Sequence, residues 1–115
     1  MVGKATAERF HDALPGIKGK TLVRGAETLL TKFLLAEGSV LPLHDHPYEQ
    51  TGYLISGRLR LTVGGESFEA GPGDSWCIAR GVAHRADVLE DSVALELFSP
   101  PREDYAKWLD SEDLA

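Results

Sequence analysis

The chain lacks paired cysteines, long apolar runs and clustered basic side chains, and each absence removes a class of function. Cys77 stands alone, so no internal disulfide forms and the expected setting is reducing and cytoplasmic. Every apolar stretch falls well short of the roughly 20 residues that a membrane-spanning helix needs. Met1-Val2-Gly3-Lys4 leads into nothing resembling an apolar signal segment. With 12 basic residues scattered among 18 acidic ones and a net charge of -6, there is no electrostatic footprint for nucleic acid. Repeats, linkers and low-complexity tracts are missing too. Neither a membrane nor a nucleic acid is expected as partner, which leaves small molecules and other proteins.

What is present suits one compact unit. A chain of 115 residues buries roughly two-thirds of its unfolded surface, enough for a core without disulfides or a structural metal. Any metal is therefore expected to be functional. Glycine and proline recur at Gly38, Pro42, Pro47, Gly57, Gly64-Gly65, Gly71-Pro72-Gly73 and Gly81, with short apolar or alternating runs between them. This rhythm predicts many short strands. In Arg58-Leu59-Arg60-Leu61-Thr62-Val63 apolar and polar residues alternate, Gly64-Gly65 turns tightly, and Ser67-Phe68-Glu69-Ala70 returns as a hairpin. Thr28 to Leu35 and Val93 to Phe98 read as strands covered more fully on both sides. Ser99-Pro100-Pro101-Arg102-Glu103-Asp104 predicts a helix capped by serine and running to about Leu109. Residues 1–16 read as an arm, with Ala7 to Asp12 as either a helical turn or a segment packed on a partner subunit. The fold expected is all-β, an antiparallel barrel or double-sheet jelly roll, in one domain over residues 1–115 with its core at about 20–99.

His44-Asp45-His46-Pro47-Tyr48-Glu49-Gln50 gives this scaffold a chemistry. In extended backbone His44 and His46 project to one face and can share an ion, while Asp45 points away. Neutral imidazole is the commonest side-chain metal ligand, and His84 downstream is a further candidate. A lone His-x-His pair is often just two polar residues on an exposed face.

The surrounding residues give this pair more weight. Gly38, His44, His46, Gln50 and Gly57, followed by Gly73, Gly81 and His84, resemble the paired motifs of the cupin superfamily. Those motifs read Gly-x5-His-x-His-x3-Glu-x6-Gly and Gly-x5-Pro-x-Gly-x2-His-x3-Asn. Here Gln50 stands at the glutamate position, Ala79 at the proline and Val88 at the asparagine. The resemblance implies a cupin barrel binding one divalent metal through His44, His46, Gln50 and His84. Glu49 is the alternative carboxylate ligand: strand parity turns it outward, although a bend at Pro47-Tyr48 could shift the register by one. Three imidazoles and an amide leave a divalent ion its full charge. Zinc, nickel, iron, manganese or cobalt would all be accepted. Such a site favours polarising a substrate oxygen over activating dioxygen.

Glu96 interrupts an apolar strand near a second cluster, Leu97-Phe98-Ser99-Pro100-Pro101-Arg102-Glu103-Asp104-Tyr105. Facing inward, its carboxyl would be costly to bury and its pKa would rise. Alternatively Ala94, Glu96 and Phe98 form the outer face, with Val93, Leu95 and Leu97 in the core. The pattern alone leaves both open. This tail and Glu49-Gln50-x-x-Tyr53-x-x-x-Gly57 resemble the small bacterial cupins of pectin and alginate breakdown, which convert unsaturated monouronates to linear keto acids. That resemblance implies catalytic roles for Glu96, Phe98 and Arg102, with glutamate standing where that family has aspartate. The expected protein is a homodimer acting on a small acidic molecule by redox-neutral isomerisation. A metal-dependent dioxygenase and a non-catalytic ligand-binding cupin are the alternatives. His11 reads as exposed, Cys77 as inert packing, Tyr53 as core or pocket rim, and Arg58 and Arg60 as the wet face of their strand.

Overall fold

A computed structural model describes residues 1–5, 9–110 and 114. Among these residues eight strands follow in chain order: β1 (His11–Leu14), β2 (Ile17–Arg24), β3 (Leu29–Leu35), β4 (Val40–His44), β5 (Glu49–Val63), β6 (Glu66–Ala70), β7 (Ser75–Ile78) and β8 (His84–Ser99). One helical turn, α1 (Glu103–Ala106), comes after them. Every strand pairing is antiparallel, in the order β1-β2-β3-β8-β5-β6, with β4 on β8 and β7 on β5. The fold is the all-β jelly roll that the glycine and proline rhythm predicts.

Two long strands make the barrel. The second half of β8 pairs with β3, from Leu29 opposite Phe98 to Leu35 opposite Ser92. Its first half pairs with β4, where His44 lies opposite His84. β5 divides its length in the same way between β7 and β6. Both strands bend where their mutual register shifts, between Leu54 and Leu59. Gly57 sits in that bend with φ of 96°, and a Cβ there would strike the Asp91 carbonyl and Ser92. Ser92 closes the bulge by donating to the Glu90 carbonyl (2.8 Å) and accepting from the Arg58 N–H (3.1 Å). The motif glycine is thus a packing and backbone requirement.

Alternation then sorts the side chains. On β5, Gln50, Gly52, Leu54, Leu59 and Leu61 are buried while Glu49, Thr51, Tyr53, Ile55, Arg58 and Arg60 are exposed. The core cluster joins Leu54, Leu59, Leu61, Ala70, Trp76, Ile78, Val88 and Ala94. Tyr53 and Cys77 lie on the exposed outer face rather than in packing, because their buried neighbours take the opposite parity. Leu29, Thr31 and Phe33 are buried on one face of β3 only, so it and β8 are covered on one side and half-covered on the other.

Both termini differ from expectation. His11 and Asp12 pair with Gly19 and Lys18 as part of β1, so the strands begin before position 20 and this part of the arm is sheet. Ala7 and Glu8 lie outside the described residues. The helix is one turn, capped at Arg102 without a side-chain cap bond. Ser99 cannot cap it because Ser99 ends β8. Thr21 Oγ1 donates to the Tyr105 carbonyl and fastens this turn to the barrel.

Candidate metal centre and cavity

Strand register brings residues separated by dozens of positions to one point. The ring of His44 lies 4.2 Å from that of His84 and 5.5 Å from that of His46, and those of His46 and His84 are 4.8 Å apart. Their ligand nitrogens all fall within 4.8 Å of one another. Nδ1 of His44 donates to the Pro42 carbonyl (2.8 Å), that of His46 to Tyr48 (3.1 Å) and that of His84 to Val82 (2.9 Å). A carbonyl can only accept, so each ring carries a proton on Nδ1, and in the neutral ring the Nε2 lone pair is left for a cation. Backbone orientation of this kind is typical around metal-ligating histidines.

The donor chemistry fits a metal ion. His84 Nε2 is buried without a hydrogen-bond partner among the described residues. His46 Nε2 faces Gln50 Oε1 at 3.0 Å, two acceptors when the ring is neutral, an arrangement that a shared cation would satisfy. Gln50 is held this way by its own Nε2, which donates to Glu96 Oε2 at 3.0 Å. Glu49 is exposed, which takes it out of the group. Burial is the largest influence on His84 and lowers its pKa, with the other two histidines and Arg102 adding to the effect against the Val82 bond. Its imidazole is kept neutral, as a ligand must be.

Glu96 faces inward, together with Ala94 and Phe98, which settles the alternative that the pattern left open. Burial pushes its carboxyl up to about 8, and the nearby Gln50 and Trp76 donors offset only part of this. Trp76 Nε1 is buried and approaches without completing a hydrogen bond. Its indole lies over Gly52, where any Cβ would strike it. Gly52 pairs with both Trp76 and Glu96 across its two neighbouring strands, so one missing side chain makes room for the indole beside the carboxyl.

Arg102 reaches the same cavity from the segment before α1. Its guanidinium lies 3.9 Å from the Tyr105 ring centroid, 4.9 Å from Phe98 and 5.4 Å from Tyr48. Asp104 accepts from its Nε (3.1 Å) and Nη2 (2.8 Å). Burial opposes ionisation of Asp104, but the hydrogen bonds and charge of Arg102 outweigh it and hold the carboxyl below its ordinary value. One edge of the fork is thereby occupied, and the edge bearing Nη1 remains for a ligand. Tyr105 stacks in turn on Trp108 at 4.4 Å, and Trp108 on the exposed His11.

His44, Gln50, His84, Glu96, Phe98 and Arg102 all line one cavity of about 340 Å³. His46 stands behind Gln50 within the histidine group. Sequence reasoning quoted Asp104 and Tyr105 without giving them a part in the site, and gave none to Trp108, Trp76 and Gly52. The Trp76–Gly52 pairing depends on register, whereas Asp104 two positions after an arginine was visible in the chain.

A family model described as a cupin domain matches residues 31–99. The uncharacterised protein SCO3923 of Streptomyces coelicolor is 31% identical over 70 residues, which are 60% of this chain and 67% of that protein. The structure of KdgF from Halomonas sp. superposes with a TM-score of 0.86 at 28% identity, covering 90% of this chain and 96% of its own. An RmlC-like cupin from Shewanella frigidimarina gives a TM-score of 0.86 at 25% identity, covering 90% and 94%.

Proposed function

The chain belongs to the cupin family, and from that premise we propose that it is a redox-neutral, metal-dependent enzyme. Its substrate would be a small acid bearing an oxo or enol group, unsaturated uronates among them. The observation that carries this reading is a neutral donor set of three imidazoles and one amide, of which His44, His84 and Gln50 line the same cavity as a buried carboxyl and a caged arginine. Similarity to KdgF supports it, as do the motifs resembling the small cupins of pectin and alginate breakdown.

His44, His46, His84 and Gln50 would hold the ion. A divalent ion bound there acts as a Lewis acid that polarises a substrate oxygen. Arg102 takes the substrate carboxylate on the edge that Asp104 leaves open, and its aromatic cage fixes the plane of the fork. Glu96, one inward-facing position below Phe98, moves a proton between carbon and oxygen as the enol becomes the ketone. It also orients the Gln50 amide. Phe98 shapes the wall between Glu96 and Arg102.

The test is to load the protein with each candidate divalent ion and incubate it with unsaturated galacturonate and guluronate monomers, following the conjugated double bond by absorbance. The expected result is decay well above background, with Arg102→Ala raising KM about tenfold or more at unchanged metal content. Background decay with every ion overturns the uronate assignment. Oxygen consumption would move the reading to a dioxygenase.

A further inference from the structure

The cavity is lined by apolar residues beyond its polar mouth, and they bear on the ligand. On the inner face of β8, Ala86 and Val88 follow His84 in one half, and Ala94 follows Glu96 inward from the other. Opposite them on β5 stand Leu61 and Leu59, paired with Ala86 and Val88. Two positions along a strand are roughly 7 Å, so within one side-chain layer of the histidines and the carboxyl the lining turns aliphatic apart from Arg85, whose guanidinium is held by Asp87. Leu35 and Leu41 line the same space, and exposed Asp12 and Leu14 of β1 lie at its rim.

A ligand held at the mouth by a cationic group and an ion must place the rest of its atoms somewhere. If that remainder enters the chamber, each hydroxyl it carries loses water and finds no donor or acceptor on Leu59, Leu61, Val88 or Ala94, a costly exchange. Each methylene gains instead. The Trp76 N–H, the unpartnered donor on that side, stands next to Glu96 and so serves the reacting end.

We propose that the acid taken by this site carries an alkyl or aryl body that occupies the chamber lined by Leu59, Leu61, Val88 and Ala94, with its oxygen-bearing acidic end among the histidines and Arg102. This rests on the proposed metal-centred acid site and narrows it: an oxo acid with an apolar body ranks above one hydroxylated throughout. Specificity then comes from the barrel interior, and the mouth selects the functional group.

The experiment is calorimetric binding of straight-chain 2-oxo acids, from pyruvate to 2-oxooctanoate, to protein loaded with one equivalent of zinc and desalted. Each added methylene is expected to tighten Kd about three- to fourfold until the chamber is full. In Ala94→Leu, which fills part of the chamber, the slope is expected to flatten. Binding with a flat or rising Kd along the series overturns the chamber proposal and leaves the acid site standing. No binding by any member, in protein with full metal content, overturns both. The wild-type series decides the matter even if Ala94→Leu fails to fold.

Discussion

Near the mouth of the barrel β8 presents His84, Glu96 and Phe98 to the interior; deeper in, the same strand presents Val88, Ser92 and Ala94. The two regions share a backbone and differ in what their polar groups find. At the floor Ser92 both donates and accepts, and Val88 and Ala94 belong to the hydrocarbon core. Around the mouth, His84 Nε2 and Trp76 Nε1 are buried without partners among the described residues, the neutral His46 ring and Gln50 bring two acceptors face to face, and a carboxyl sits in low dielectric. Buried polar groups left this way cost free energy. The floor therefore holds the fold together, and the mouth is a locally unfavourable arrangement that the fold sustains and a bound ligand would relieve.

The largest expected effect comes from Glu96. Its pKa is raised from 4.5 to about 8, first by burial, so the folded state binds this proton more tightly than the unfolded state. Its contribution to stability is fully present below the unfolded value and is lost as pH rises through about 8. Stability of the metal-free protein should fall relative to that of Glu96→Gln by up to about 4 kcal/mol between roughly pH 4.5 and pH 8.5, as read by urea unfolding. Parallel pH profiles for the two proteins would erase the cost assigned to the mouth. Next in size is Leu54→Ala at the floor. Leu54 is 0% exposed, and truncation should cost about 3 kcal/mol while leaving metal stoichiometry intact in the folded fraction. A loss below about 1 kcal/mol would mean the floor is not where stability resides.

The sequence disclosed these regions unequally. Alternation around Leu59 and Leu61, the Gly64-Gly65 turn and the spacing of Gly38, His44, His46, Gln50, Gly57 and His84 announced the fold and the histidine group, because each signal is local or belongs to a short motif. Strand parity likewise separated Gln50 from Glu49. Glu96 stayed ambiguous because a strand with half-covered outer residues Val93, Leu95 and Leu97 has two apolar faces, and parity cannot choose between them. The aliphatic chamber was out of reach too, since it depends on the pairing of distant segments that sets Leu59 and Leu61 of β5 beside Val88 and Ala86 of β8. At the ends of the chain, the Ser99-Pro100-Pro101 signal was read as a cap when the strand had not yet finished. In β1 a strand of four residues is too short for periodicity to reveal.

The smallest effect on stability is expected at His46, and it separates the two regions most cleanly. His46 is 8% exposed, so a rule based on burial alone would predict a large loss on truncation. Its surroundings argue otherwise. Replacing it with alanine opens a cavity, forfeits the bond to the Tyr48 carbonyl and the edge contact with Phe98 at 5.9 Å, and is therefore unfavourable in part. It also removes the facing acceptors, since Gln50 Oε1 no longer meets a lone pair. These contributions oppose each other, so the metal-free variant should unfold within about 1 kcal/mol of the metal-free parent. Metal affinity should fall at least about a hundredfold, measured by competition with a chelator, because one of four donors is gone while the rest stay in place. Global unfolding of His46→Ala would instead make the histidine group part of the core, and the contrast between mouth and floor would then describe composition without describing where the stability lies.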